Sequence, residues 1–164
     1  MQNSFQSQWN SQFPNKIPIS QLLKHYFTQS WFRIHSLPES KRYADTAAEY
    51  ELLLNRHNEI ITDCFGENTS IFIISGHYFS QSSNNEDYFF RPYSIETTWQ
   101  SNQHNNLLKK IADDEIRAFM ISFEQNIIVA PYDGGIDFII FNDAKRQALR
   151  DKYKDWLSQR EDGL

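Results

Sequence analysis

The fold class is decided by the stretch I-R-A-F-M-I-S-F-E-Q-N-I-I-V-A-P-Y-D-G-G-I-D-F-I-I-F at residues 116–141. It holds three apolar runs of strand length, separated by turn chemistry at Gln125-Asn126 and at Asp133-Gly134. Turns this short join antiparallel neighbours, so the stretch predicts a three-strand meander. The runs are nearly continuous rather than alternating in polarity, which indicates strands that are covered by helices.

Two helical patterns flank this sheet in the sequence. Thr46-Ala-Ala-Glu49 has the form of a capping box, and apolar residues recur at helical spacing from residue 50 to residue 65, just before Gly66. After the meander, apolar residues from Ala148 to Leu157 again line one side of a helix. We therefore predict an α+β domain, in which a mainly antiparallel sheet packs against a long central helix and a C-terminal helix.

Two further segments have strand character. Ile71–His77 is rich in β-branched and aromatic residues, and Ser94–Trp99 is placed to pair at a sheet edge. Pro92 limits how far that edge pairing extends. The polar run between the two segments, Ser80–Asp87, predicts a loop.

The first sixteen residues differ in composition from the rest of the chain. They are rich in Gln, Asn and Ser, yet Phe5, Trp9 and Phe13 recur every four residues, a spacing that lines up one side of a helix. Residues 1–16 are therefore a polar tail or an arm docked on its own domain, with a partner-binding arm and plain disorder as the alternatives. Residues 17–164 form a single domain.

The bulk composition excludes several classes of function. The 164 residues carry 16 basic and 21 acidic side chains, a net charge of −5, which argues against nucleic acid and anionic membranes as partners. No apolar run approaches the roughly 18 residues of a membrane span. The single cysteine, Cys64, rules out an intramolecular disulfide and fits a reducing compartment, so we expect a cytoplasmic protein. The sequence has no cofactor motif and no metal-ligand spacing, so we expect neither a cofactor nor a metal ion.

Charged residues collect at the end of a predicted strand, W-F-R-I-H at residues 31–35, and in the loop after it. They are Arg33, His35, Glu39, Lys41 and Arg42. A histidine can act as a general base near neutral pH, and arginines can hold an anion by forked hydrogen bonds. The same residue types also tie a loop down through ion pairs or form a protein-contact surface. A structural clasp, a contact surface and an anion-binding or catalytic site all remain open.

Asp137 interrupts an apolar strand and shares a face with Ile139 and Phe141. A carboxylate at such a position needs a partner if it is buried. We expect a structural ion pair between Arg33 and Asp137. In the alternative, Asp137 is a functional acid that orients His35.

Three segments of the chain resemble a known family. They are W-F-R-I-H-S-L-P-E-S-K-R-Y-A at 31–44, P-Y-D-G-G-I-D-F-I-I at 131–140 and K-Y-K-D-W-L at 152–157. The family consists of small bacterial cytosolic proteins and is catalogued as a domain of unknown function. Some small acidic bacterial proteins of this kind are immunity proteins encoded beside toxins. The resemblance therefore implies toxin neutralisation by analogy, and no catalytic residue is carried over from it.

The leading hypothesis is a non-enzymatic protein-binding module, in its most concrete form an immunity protein that neutralises a basic toxin domain. The predicted contacts are Glu39, Lys41, Arg42, Glu86, Asp87, Tyr88, Phe90 and Trp99. One alternative is a small hydrolase or transferase that uses Arg33, His35, Arg42 and Asp137; it requires these four side chains to converge on one open cleft. Another is an anion- or nucleotide-sensing domain built on the same loop.

Overall fold

A computed structural model describes residues 4–80 and 88–164, with side chains described for 4–76 and 92–164. The helices are α1 (Phe5–Gln12), α2 (Ser20–Tyr26), α3 (Ala47–Phe65), α4 (Asn105–Ala112) and α5 (Asp143–Lys152). The strands are β1 (Trp31–His35), β2 (Thr69–Ser80), β3 (Tyr88–Trp99), β4 (Ala118–Ser122), β5 (Ile127–Tyr132) and β6 (Gly135–Ile140). Two short 3-10 helices cover Pro38–Ser40 and Lys154–Trp156.

All six strands form one antiparallel sheet in the order β1-β6-β5-β4-β2-β3. The meander predicted for residues 116–141 is confirmed as β4, β5 and β6, and with it the α+β class. Strand β1 adds to one side of the meander beside β6, and the β2–β3 hairpin adds to the other side beside β4. The hairpin pairs over twelve residues and runs through Pro92, so Pro92 does not limit the pairing as predicted; proline is tolerated on an edge strand. Strand β3 is that edge strand, because it lies at the end of the strand order.

Helices cover both faces of the sheet. One core cluster joins α3, α4 and α5 to strand residues that include Ile34, Val129 and Phe138. The other joins α1 and α2 to Phe119, Ile128 and Ile139 from the opposite face. All residues of β4 and β6 are buried as a result, which explains why their sequences are apolar runs rather than alternating patterns.

The N-terminal segment is part of the folded unit. Phe5, Trp9 and Phe13 are 1 %, 0 % and 6 % exposed and pack on the sheet face that α2 also covers. The indole Nε1 of Trp9 donates to the carbonyl oxygen of Lys16 at 2.6 Å. Residues 4–16 therefore form an arm that is docked on the domain.

The last helix is shorter than the apolar stripe to Leu157 predicts. Helix α5 ends at Lys152, and Leu157 forms an isolated antiparallel bridge with Ile34 on the outer edge of β1. The amide of Ser158 then donates to the carbonyl of Arg33 at 3.3 Å. This extended pairing with β1 takes up backbone groups that a longer helix would have bonded internally, and so it stops the helix.

Candidate functional site

A salt bridge joins Arg33 of β1 to Asp137 of β6, which are directly opposite each other in the sheet. Arg33 Nε lies 2.6 Å from Oδ1 of Asp137, and Nη2 lies 2.9 Å from Oδ2. Trp31 Nε1 also donates to Oδ1 at 2.9 Å. The two charged side chains are only 11 % and 7 % exposed. The charge of Asp137 is thus neutralised by a forked partner in a nearly dry setting.

The pKa of Arg33 reflects this pairing. Burial lowers it, but the hydrogen bond and the charge of Asp137 outweigh the burial and raise the pKa above its ordinary value. The guanidinium also lies over the ring of Tyr132, with Cζ 4.2 Å from the ring centroid. Arg33 therefore stays charged and is fixed on three sides, which makes it a wall of the site rather than a mobile clamp.

A second ion pair ties the loop after β1 to the turn between β5 and β6. Arg42 Nε donates to Oδ2 of Asp133 at 2.7 Å, and the hydroxyl of Tyr43 donates to the same oxygen at 2.6 Å. Partial burial favours the neutral acid, but these two hydrogen bonds lower the pKa of Asp133 below its ordinary range. Arg42 itself is 65 % exposed on its side chain, and its bond to Asp133 is made by Nε.

The same loop is tied to α3. Lys41 Nζ lies 2.8 Å from both carboxylate oxygens of Glu49 and 2.8 Å from Asp45. We call the set Lys41, Arg42, Tyr43, Glu49 and Asp133 the clasp. Its bonds connect a loop, a helix and a hairpin turn, so these side chains hold the β1–α3 connection in place.

Gly135 allows β1 to approach the turn beside the clasp. A Cβ atom built there would lie 2.0 Å from the carbonyl oxygen of Ile34, a distance that no side chain tolerates. Glycine is required here for close backbone approach rather than for an unusual backbone angle. The Y-D-G-G-I-D motif therefore supplies two carboxylates, at Asp133 and Asp137, and the flat surface on which β1 lies.

A cleft of about 270 Å³ opens beside these ion pairs, on the sheet face that carries α2. Its charged lining consists of Lys24, Arg33, Arg42, Arg117, Asp114, Asp133 and Asp137. Three of the four residues in the catalytic alternative line it, but His35 does not. The catalytic alternative therefore does not meet its own geometric requirement.

His35 is engaged elsewhere. Its Nδ1 lies 3.0 Å from the hydroxyl of Ser40, and burial together with the charge of Arg33 lowers its pKa. A histidine with a lowered pKa beside a guanidinium resists the positive charge that a general base acquires when it takes a proton. Glu39, next in the loop, is exposed and has a left-handed backbone angle of φ 57°.

A buried serine–histidine contact lies behind the clasp. The hydroxyl of Ser36 and Nε2 of His57 are 2.7 Å apart, and the two residues are 1 % and 0 % exposed. Nδ1 of His57 is buried and has no hydrogen-bond partner in the described part of the chain. Burial, reinforced by the charge of Arg56, lowers the pKa of His57 to about 3. No substrate reaches this pair, so we assign it to the core.

We expect His57 to make the protein acid-sensitive. Its pKa is lower in the folded chain than the ordinary value of 6.5, so the unfolded chain binds the proton more readily. The contribution of neutral His57 to the free energy of unfolding is therefore complete above about pH 6.5. It is lost as the pH falls, by about 2 kcal/mol between pH 7 and pH 5. Urea unfolding of the wild type and of His57→Gln at both pH values measures this. The difference between the two proteins removes the effect of every group that titrates in both. The same loss of unfolding free energy between pH 7 and pH 5 in both proteins would contradict the assignment.

The predicted partner contacts other than Trp99 fall into three groups. Glu39, Lys41 and Arg42 are exposed on or next to the clasp. Glu86 and Asp87 lie outside the described residues, and Tyr88 and Phe90 are described only as backbone positions of β3.

Trp99 requires a correction as a partner contact. It is 0 % exposed, its Nε1 donates to Oγ1 of Thr62 at 3.0 Å, and its ring stacks on His104. Its position at the end of an edge strand is as predicted, but its side chain points to the face that α3 covers. Trp99 is therefore a core residue in the folded chain.

Two features of the surface were missed by the sequence analysis. Lys24 and Arg117 join the cleft from α2 and from the residue preceding β4, although no motif links them to the loop at 31–43. On β3, Tyr93 and Ile95 are 49 % and 67 % exposed. Their alternation with Ser94 and Glu96 would predict that the two apolar side chains are buried, so the sequence contained no signal for their exposure.

Comparisons with known proteins give one result. A family model described as "Domain of unknown function (DUF3885)" matches residues 19–91 and 81–161. Searches of curated proteins and of solved structures found no match. No helix in the described part of the chain is long and apolar enough to cross a bilayer. The two matched ranges span most of the fold, including β1, the clasp and the Y-D-G-G-I-D turn, and the chain therefore belongs to the DUF3885 family.

Proposed function

We propose that this protein acts by binding another protein and not by catalysing a reaction. The observation that carries the proposal is the outer edge of β3. Strand β3 pairs with β2 on one side, and among the described residues no strand pairs with its other side. The unpaired amides and carbonyls of an edge strand form a ready template for an added strand from a partner.

The side chains of β3 support this reading. Ile95 is 67 % exposed and Tyr93 49 % exposed, and both lie on the sheet face that carries α3, where Ile73 of β2 is their partly buried neighbour. Large apolar groups at an open edge favour association, and natural monomers usually blunt such edges with lysine, proline or a bulge. Pro92 interrupts the edge at one position, but residues 93–98 contain neither proline nor lysine.

Charge indicates the class of partner. The chain carries a net charge of −5, and the one charged residue among positions 93–98 is Glu96. Complementary charge speeds the encounter with a basic protein, and apolar anchors such as Ile95 then slow its release. The most concrete form of the proposal is an immunity protein that binds a basic toxin domain.

The clasp is a weaker candidate for the contact surface. Lys41 is bonded to Glu49, and Arg42 is bonded to Asp133, so a partner would have to break these internal pairs to use them fully. On β3, the exposed side chain of Ile95 is apolar, so a partner can pack on it without breaking an ion pair. We therefore centre the proposed interface on β3.

The proposal predicts that the Ile95→Lys substitution weakens the binding of a protein partner. Co-expression with the proteins encoded by adjacent genes should yield a stoichiometric complex, and the substitution should weaken it at least about tenfold by placing a charge on an apolar contact. Ile17→Lys is the matched control, because Ile17 is also exposed, at 46 %, and lies outside β3. Titration calorimetry measures both affinities. The proposal would be overturned if the protein purified as an uncomplexed monomer after co-expression with each of these proteins. Equal partner affinities of the two variants would also overturn it.

A further inference from the structure

The cleft beside the clasp has a charge that is opposite to that of the whole protein. Four cationic side chains and three carboxylates line it, which leaves one positive charge in excess on a chain whose net charge is −5. A concave site with walls of low dielectric constant concentrates the field of its lining charges. An anion in solution would therefore meet a local attraction at the cleft, although the net charge of the whole chain is negative.

We propose that this cleft binds the phosphate group of a small phosphate monoester. Three cations converge on it from different segments, namely Lys24 from α2, Arg42 from the loop after β1, and Arg117 from the connection between α4 and β4. A phosphate monoester carries close to two negative charges at neutral pH and has oxygens to receive bonds from several directions. It suits three separate cations better than a single carboxylate does.

These three cations retain unused capacity to bind a ligand. Arg42 gives Nε to Asp133 and keeps its terminal nitrogens, while the bond to Asp133 fixes the direction of the guanidinium. Arg117 is 64 % exposed and lies 3.7 Å from Asp114, a long surface pair that contributes little and is easily exchanged. Lys24 has no ion-pair partner among the residues that the structure describes, although it is partly buried at the cleft.

The remaining walls set the size and character of the ligand. Arg33 is held by Asp137 and stacked on Tyr132, so it forms a fixed wall whose charge is already matched by a carboxylate. Ile111, Ile116 and Pro131 supply an apolar side. At about 270 Å³ the cleft is near the small end of ligand sites, so it fits a phosphate on a small organic body and not a dinucleotide.

The test is titration calorimetry of the full chain with glycerol 3-phosphate and adenosine 5′-monophosphate at low ionic strength. Glycerol and adenosine serve as the matched compounds without phosphate, and citrate as a polycarboxylate. We expect binding of at least one phosphate probe and none of its dephosphorylated form. The proposal would be overturned if neither phosphate probe bound at about 10 mM, a concentration at which even a millimolar Kd would be detected. Tighter binding of citrate would overturn the assignment to phosphate.

Variants locate the binding in the cleft. Lys24→Ala and Arg117→Ala should each weaken phosphate binding about tenfold, because each removes one charge-assisted contact. Lys154→Ala is the charge-matched control, since Lys154 is exposed and lies outside the cleft lining. Thermal unfolding without ligand should be nearly unchanged in all three. Equal affinities in the cleft variants and the control would contradict the site.

This inference is independent of protein binding at β3. The Ile95→Lys variant should bind the phosphate probe with wild-type affinity, and the Lys24→Ala variant should still form the protein complex. A variant that lost both properties with its fold intact would overturn the separation of the two sites.

Discussion

Replacing Asp137 by alanine is expected to lower the free energy of unfolding by about 3–5 kcal/mol, because the Arg33 guanidinium is left buried without its partner. The carboxylate is 7 % exposed and accepts three hydrogen bonds, two from Arg33 and one from Trp31. Removing it leaves three part-buried donors without this acceptor, and each of them carries a desolvation cost. Urea unfolding measures the change.

Asp143→Ala provides the matched control. Asp143 also pairs with an arginine, Arg146, at 2.7 Å, but its side chain is 88 % exposed. An exposed pair contributes less than about 1 kcal/mol, so the two aspartates separate burial from pairing. A loss of less than 1 kcal/mol for Asp137→Ala, similar to that of the control, would show that water solvates the Arg33 site freely.

A double-mutant cycle tests the coupling between Arg33 and Asp137. The double variant Arg33→Met/Asp137→Leu lacks both charges. It should lose much less unfolding free energy than the two single variants together, since no unpaired charge is then buried. Additive losses would indicate that each residue acts through separate partners. The comparison also distinguishes the cost of an orphaned charge from the net value of the pair.

Replacing Trp9 by alanine is expected to cost about 3–5 kcal/mol of stability, the range for removing a buried aromatic side chain. Trp9 is 0 % exposed, and its ring centroid lies 4.8 Å from that of Phe13 and 5.8 Å from that of Phe119 on the sheet. The substitution would open a cavity between α1 and β4, and the carbonyl of Lys16 would lose its indole donor.

Gln8→Ala is the control for Trp9. Gln8 is the adjacent, exposed position of α1, so its replacement should change stability by less than about 0.5 kcal/mol. Thermal and urea unfolding of both variants measure whether the arm shares the cooperative transition of the sheet. A two-step transition, or a Trp9→Ala loss as small as that of Gln8→Ala, would show that the arm unfolds separately.

The meander and the long helix were predictable because their signals are local. The turns at Gln125-Asn126 and Asp133-Gly134 lie within a few residues of the strands they join, and the same holds for the Thr46 cap of α3, whose Oγ1 accepts from the amide of Glu49 at 3.2 Å. Periodicity and turn chemistry act over such distances.

The cleft was not predictable in the same way. Lys24, Arg42 and Arg117 are far apart in the sequence, and only the placement of β1 beside β6 and of α2 over the same face brings them to one opening. Strand order depends on long-range packing, which no window of residues contains. Trp99 shows the same limit on a smaller scale, because the sequence placed it on an edge strand but did not reveal which face α3 would cover.

The bridge between Leu157 and Ile34 makes the two sides of the sheet unequal. The outer side of β1 already carries the segment at 157–158, whereas the outer side of β3 carries no strand among the described residues. A chain with two open sides could stack without limit, as fibres do. In this chain the segment at 157–158 occupies part of the outer side of β1, so the two edges of the sheet do not offer the same surface to an added strand.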